Sequence, residues 1–168
     1  MSEGYVSCDR LSKSELRLLK AARSVMKNAY NIYSGFQVGA AVRTSTGKVY
    51  LGTFMENASF GLGVCAEVAA ILAANTDGEA GIESIAIIGG KPESKRGTVV
   101  TPCGRCRQVI LEASQVAGTD AEVICSNKDM TQVLRTTISE LLPHAFGPRD
   151  LGVTHKLRSF LRHRRGRG

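Results

Sequence analysis

Two cysteines in the second half of the chain have the spacing of metal ligands. Cys103 and Cys106 are three positions apart in a CGRC run, so both sulfurs can turn toward one ion if the run begins a helix. The amide groups and the positive end of the helix dipole at such a position lower the pKa of a thiol, which favours metal binding. By itself a CxxC run is equally typical of a redox pair or of two buried cysteines.

A second run contains a third sulfur and an acid. Cys65 is followed two positions later by Glu67. Structural zinc is usually closed by four protein ligands, whereas three ligands leave a position for water, whose pKa the metal lowers toward neutrality. A carboxylate beside the metal can then carry protons between water and substrate. The pattern predicts a catalytic Zn²⁺ with Glu67 as proton shuttle, although an acid in the first turn of a helix is also favoured by the dipole alone.

Together these runs resemble the cytidine deaminase superfamily, whose signature is an acid following the first ligand and then PCxxC. CAE and PCGRCRQ are similar to the small, all-cysteine form that acts on free nucleosides. The resemblance extends over residues 10–151 and includes three further stretches. They are YSGFQVGAAV at 33–42 and MENASFG at 55–61, which resemble a substrate-binding strand and loop, and LLPHAFGP at 141–148, which resembles a C-terminal signature.

The resemblance implies a role for each matching residue. Cys65, Cys103 and Cys106 would hold the zinc, and Glu67 would be the general acid and base. The implied substrate-binding residues are Phe36 beside the pyrimidine, Glu56 on the ribose hydroxyls, Phe54, Ala66, and Phe146, which would reach a neighbouring subunit's pocket in a homotetramer. For the two phenylalanines Phe36 and Phe146, ordinary core packing is the alternative.

Two positions depart from the family pattern. Typical members have Asn two residues before the ribose-binding acid, where this chain has Phe54. They also have Arg directly after the catalytic acid, where this chain has Val68. Three thiolates on a divalent ion leave a formal charge of −1, and Arg105 is the candidate for charge compensation. A CGRC run without that Arg resembles the blasticidin S deaminase branch, so a nucleoside antibiotic is an alternative substrate.

Periodicity predicts an α/β fold. Ser12 and Glu15 have capping-box spacing before an amphipathic stretch, and apolar strands alternate with helices farther along the chain. With the resemblance, we expect a three-layer α/β/α cytidine deaminase-like fold with a mixed five-stranded sheet. The predicted helices are 13–28, 64–75, 103–115 and 134–142, and the predicted strands are 36–43, 48–54, 82–88 and 121–125.

The length, charge and composition of the chain limit the domain organisation and the functional classes that remain. The 168 residues fit one deaminase domain at 1–151, followed by a basic, flexible tail at 152–168. The net charge is +7, but six Lys or Arg lie in 156–168, which leaves +1 for the preceding residues. A nucleic-acid binding or editing protein using this tail is therefore the rival class, and nucleic acid is the less favoured partner. Without a secretion signal or an apolar span, we expect a cytoplasmic protein with no membrane partner that acts on a small cytosine nucleoside.

Overall fold

The computed structural model describes residues 4–94, 97–153 and 156. The basic tail predicted for 152–168 lies outside the described residues except for Gly152, Val153 and Lys156. The helices are α1 (Lys13–Met26), α2 (Ala66–Thr76), α3 (Gly104–Ala117) and α4 (Ile138–Leu141). The strands are β1 (Tyr5–Val6), β2 (Gln37–Thr44), β3 (Val49–Thr53), β4 (Ile82–Gly90), β5 (Glu122–Asn127) and β6 (Val133–Thr137).

The strands form one mixed sheet in the order β1-β6-β5-β4-β2-β3. The β4 and β5 strands are parallel, and every other neighbouring pair is antiparallel. The mixed α/β fold is therefore as expected, with six strands in place of five. The additional edge strand, β1, has only two residues, which is too short for an alternating pattern to reveal it.

The prediction of a helix over 134–142 is wrong for its first half. Residues Val133–Thr137 form β6, which pairs antiparallel with β5, and only Ile138–Leu141 are helical. Pairing with a buried neighbour overrides a weak local helical signal in this Thr-rich stretch. Thr137 then begins the helix, because its hydroxyl and the Glu140 side chain form a capping box.

Helices cover both faces of the sheet. On one face, α1 begins at the predicted capping box, in which the Ser12 N–H donates to Glu15 at 2.6 Å and the Glu15 N–H donates to the Ser12 hydroxyl at 3.2 Å. It buries Leu18, Leu19 and Ala22 against the sheet. On the other face, α2, α3 and α4 pack on the second and larger core cluster. The result is the expected three-layer arrangement.

The sheet topology brings two helix N-termini to one edge. Both β3 and β4 are antiparallel to β2, so they run in the same direction and their carboxyl ends lie at the same edge. The α2 helix follows β3 and α3 follows β4, so each helix begins near that edge. No helix in the described part of the chain is long and apolar enough to span a membrane.

Candidate metal centre and active site

The three predicted ligand sulfurs come together between these two helix N-termini. Cys65 is the N-cap residue of α2, Cys103 is the N-cap residue of α3, and Cys106 lies in the first turn of α3. All three sulfurs lie within 4.8 Å of one another, and the Cys103 and Cys106 sulfurs are 3.5 Å apart. Of the described residues, only these three form a group of at least three potential ligands. A set of three soft sulfur donors at this spacing fits a zinc ion with one position left over.

The electrostatics of the cluster favour the thiolate form of Cys65. The hydrogen bond from the Cys106 thiol lowers the pKa of Cys65 to about 6, and the positive charge of Arg105 contributes to the same shift. The pKa of Cys106 is raised for the complementary reason, since its proton is shared with Cys65. Metal binding removes such shared protons, because the ligands of a divalent ion are thiolates.

Glu67 lies in the first turn of α2 and is only 5% exposed. Burial raises the pKa of its carboxyl group, and the nearby charge on Cys65 raises it further. A solvated acid at a helix N-terminus would have neither feature. Burial beside the sulfur cluster therefore favours the proton-shuttle interpretation over the helix-dipole alternative.

A cavity of about 340 Å³ opens beside Cys65 and Arg105. Its wall includes the aromatic rings of Tyr33, Phe54 and Phe60. Larger grooves of about 530 and 620 Å³ lie elsewhere on the described surface, and no cysteine lines either of them. The smaller cavity is the candidate active site because Cys65 of the sulfur cluster lines it.

Glu56, for which the resemblance implies a role in binding the ribose hydroxyls, also lines this cavity, and its carboxylate has backbone partners. It accepts hydrogen bonds from the amides of Tyr33 at 2.7 Å and Ser34 at 3.2 Å. The side-chain hydroxyl of Ser34 is the main reason that the pKa of Glu56 is lowered, and the two amides lower it further. Glu56 thus holds the 33–34 turn against the loop that follows β3.

The other predicted substrate-binding residues divide between the cavity and its surroundings. Phe54 lines the cavity. Phe36 is half-buried just before β2, and Ala66 is fully buried at the start of α2, but neither lines the cavity. Phe146 is 64% exposed and also lies outside the cavity wall of its own chain. Core packing, the alternative for Phe146, is therefore wrong within a single chain.

Arg105 is exposed and lines the cavity next to Cys65. Val68, at the position where the family pattern has Arg, is 8% exposed and belongs to the buried hydrophobic residues. The α2 sequence contains no Lys or Arg. Within the described site, the positive charge next to the sulfurs is thus supplied by α3, through Arg105, and by the two helix N-termini.

For three residues in and around the site, the sequence patterns predicted no individual role. Tyr33 and Phe60 meet edge to face with ring centroids 5.8 Å apart, and both lie inside the quoted motifs. Arg107, in the PCGRCRQ run, donates to the backbone oxygens of Pro102 and Leu141, each at 2.9 Å. It ties the loop before Cys103 to α4. Membership in a motif was the available signal for all three, but their partners lie far away in sequence.

Comparison with known proteins identifies the family. The family described as "Cytidine and deoxycytidylate deaminase zinc-binding region" matches residues 12–119. The chain belongs to this deaminase family. The match covers α1 to α3 and therefore includes the three sulfurs and Glu67.

Individual relatives agree with this assignment. The deaminase is 40% identical to a cytidine deaminase from Halalkalibacterium halodurans over 80% of this chain and 95% of that protein. It is 37% identical to a cytidine deaminase from Mycobacterium tuberculosis over 77% of this chain and 87% of that protein. The crystal structure of a cytidine deaminase from Burkholderia pseudomallei matches with a TM-score of 0.68 and 37% identity, covering 81% of this chain and all of that one. The chain is thus a hydrolytic deaminase.

Proposed function

We propose that this deaminase uses zinc to hydrolyse the bond between C4 and the exocyclic amine of cytidine, deoxycytidine or a modified cytosine nucleoside. The products are ammonia and the corresponding uridine. One observation carries the proposal: three sulfurs lie within 4.8 Å of one another, Cys65 among them lines a cavity, and the buried acid Glu67 interacts with Cys65 and Cys106. Relatives named cytidine deaminase support the choice of substrate class.

In the proposed reaction the three cysteines bind the metal and Glu67 transfers protons. Cys65, Cys103 and Cys106 would hold the zinc ion, whose Lewis acidity would make water a nucleophile at neutral pH. Glu67 takes one proton from the water that attacks C4 and passes it to N3. It then takes the second proton from the hydroxyl now on C4 and passes it to the departing amine, so that C4 gains oxygen and loses NH₃. Burial of Glu67 suits this task because it raises the pKa of an acid that must be protonated and deprotonated in each turnover.

The charge of the site also supports zinc. Three thiolates and a divalent ion sum to −1, and two helix N-termini together with Arg105 supply compensating positive charge. The presence of Arg105 and the absence of Arg after Glu67 resemble the blasticidin S deaminase branch, so the nucleoside antibiotic blasticidin S is the alternative substrate. An assay panel of cytidine, deoxycytidine and blasticidin S separates these substrates.

Substitution of the acid tests the mechanism. For Glu67→Gln we expect kcat to fall by about 10²- to 10⁴-fold with zinc content unchanged, because only proton transfer is lost. The control is Glu112→Gln, which changes an exposed acid on α3. Turnover is followed by the absorbance change from cytidine to uridine, and zinc by elemental analysis. Full activity in Glu67→Gln would overturn the proposed mechanism.

We propose further that the deaminase works as a cytoplasmic homotetramer built from the 1–151 domain, with residues 152–168 as an accessory tail. The exposure of Phe146 supports a role in a neighbouring chain's site. Covering a large apolar ring with a partner surface removes it from water, which lowers the free energy of the assembly. The rival use of the tail, binding to nucleic acid, is tested by deleting residues 156–168. Unchanged nucleoside turnover with no loss of salt-sensitive oligonucleotide binding is the result expected of an accessory tail.

A further inference from the structure

Three aromatic residues, Tyr33, Phe54 and Phe60, line the cavity. Phe60 is 80% exposed and Tyr33 is 50% exposed, and their rings meet at 72°. Phe54 is half-buried, and its backbone is held on both sides. Its N–H donates to the Val38 oxygen and its oxygen accepts from the Tyr30 N–H, each at 3.0 Å. The Phe54 backbone therefore occupies a fixed place directly after β3, and the side chain lines the cavity.

The side-chain oxygens of Glu56 and Asn57, which line the cavity, already accept hydrogen bonds from backbone amides of the protein. Both carboxylate oxygens of Glu56 accept amide hydrogens of Tyr33 and Ser34. The side-chain oxygen of Asn57 accepts the Ser59 N–H at 2.8 Å. These bonds shape the two loops that form the cavity. A substrate hydroxyl would have to share acceptors that are already in use.

We infer that this wall recognises the substituent on N1 of the cytosine ring mainly through apolar contact with Phe54, Tyr33 and Phe60. The enzyme is thus a deaminase that tolerates sugars lacking the 2′- and 3′-hydroxyls. Phe54 is the specificity-determining residue because it presents a ring where a hydrogen-bonding side chain would select for those hydroxyls. This inference rests on the proposed deamination of cytosine nucleosides.

Apolar walls and hydrogen-bonding walls differ in how strongly they discriminate between substrates with and without a hydroxyl group. A pocket with apolar walls distinguishes a substrate from its analogue with one hydroxyl more or fewer by only about 100-fold. A site built to hydrogen-bond a hydroxyl rejects the analogue without it by about 10⁴-fold or more, because its polar groups are then left unpaired. The ratio of kcat/KM for cytidine to kcat/KM for 2′,3′-dideoxycytidine measures which kind of wall is present.

The first experiment measures this ratio with the full-length, zinc-loaded enzyme. We expect a ratio below about 100, with 2′-deoxycytidine between the two. A ratio of about 10⁴ or more would overturn the inference while leaving the deaminase function intact. Absence of turnover with cytidine, deoxycytidine and dideoxycytidine in protein with full zinc content would instead overturn the proposed function.

The second experiment changes the ring itself. Phe54→Asn introduces a hydrogen-bonding amide, so we expect it to raise the cytidine to dideoxycytidine ratio by about 3- to 10-fold. Phe54→Leu is the matched control, which removes the ring but keeps an apolar side chain, and its ratio should stay within about twofold of the original. Equal ratios for the two variants would remove Phe54 as the specificity determinant. The ratio is an internal comparison, so a partial loss of folded protein does not change it.

Discussion

At the scale of single residues, the five cysteines of this chain have different surroundings and therefore different chemistry. Cys125 is fully buried in the central strand β5, where burial raises the pKa of its thiol. Cys8 is half-buried in a turn near the start of the chain. Only Cys65, Cys103 and Cys106 form a cluster. We therefore expect metal binding to depend on those three thiols and on no other.

The metal prediction is tested on the exposed ligand. Cys103→Ala removes a sulfur without opening a buried cavity, so the fold should persist while the metal is lost, from on the order of one zinc ion per chain to a small fraction of that. Deamination activity should disappear with the metal. Elemental analysis of the purified variant, with circular dichroism to check folding, makes the measurement.

A matched substitution serves as the control for this loss. Cys8→Ala removes a thiol outside the cluster, and we expect its zinc content and activity to equal those of the unchanged chain. If Cys8→Ala and Cys103→Ala lost the same amount of zinc, or neither lost any, the assignment of the ligands would be wrong.

At the scale of elements, the position of the α2 N-terminus depends on close contact with β3. A Cβ atom on Gly52 would lie 2.3 Å from the Ala66 oxygen and 2.3 Å from the Ala70 nitrogen. Both atoms are backbone atoms of α2, so neither can move aside without moving the helix. The absence of a side chain at Gly52 thus lets α2 lie against the strand and place Cys65 next to α3.

Gly52→Ala should therefore lower both stability and metal retention. We expect the free energy of unfolding to fall by at least about 2 kcal/mol, since the added methyl group forces the helix off the strand. Zinc should also transfer faster to a chelator, because Cys65 moves with α2. Urea unfolding of the metal-free protein gives the first quantity, and a colorimetric chelator gives the second.

Gly61 offers a comparison with the same chemical change. A Cβ atom there would have no neighbour within 4 Å. Gly61→Ala should shift the free energy of unfolding by no more than about 0.5 kcal/mol. Equal effects of the two substitutions would show that the contact between β3 and α2 does not position the helix.

At the scale of the whole molecule, we propose that the active site is shared between chains. Phe146 is exposed, and its backbone oxygen is tied to α3 by the Gln108 amide at 2.9 Å. This bond holds the backbone at Phe146 against α3, and the exposed ring does not line the cavity of its own chain. A neighbouring copy of the chain would then cover the ring and receive it in its own site.

Mixing two inactive variants tests this sharing. Phe146→Ala and Glu67→Gln each damage every site of a homotetramer. Hybrids formed by refolding the two together should recover about a quarter of the original activity, because random assembly gives about that share of sites an intact Glu67 and a neighbour's intact Phe146. Each variant refolded alone is the control. No recovery in a mixture that has formed tetramers would show that Phe146 acts within its own chain.

The sequence by itself determined the local chemistry of this protein. The spacing of Cys103 and Cys106, the acid two residues after Cys65 and the capping box of α1 concern neighbours along the chain. Helix geometry translates such spacings directly into positions in space. The family resemblance then connected the two ligand runs, although no local pattern states that they meet.

Only the tertiary structure decided what depends on distant neighbours. The strand order places the α2 and α3 N-termini together, and pairing with β5 turns Val133–Thr137 into a strand instead of a helix. Burial of Glu67 and the backbone partners of Glu56 likewise come from other elements. The physical reason is that pKa values, accessible acceptors and close packing depend on which atoms surround a side chain, and those atoms come from segments far away in the sequence.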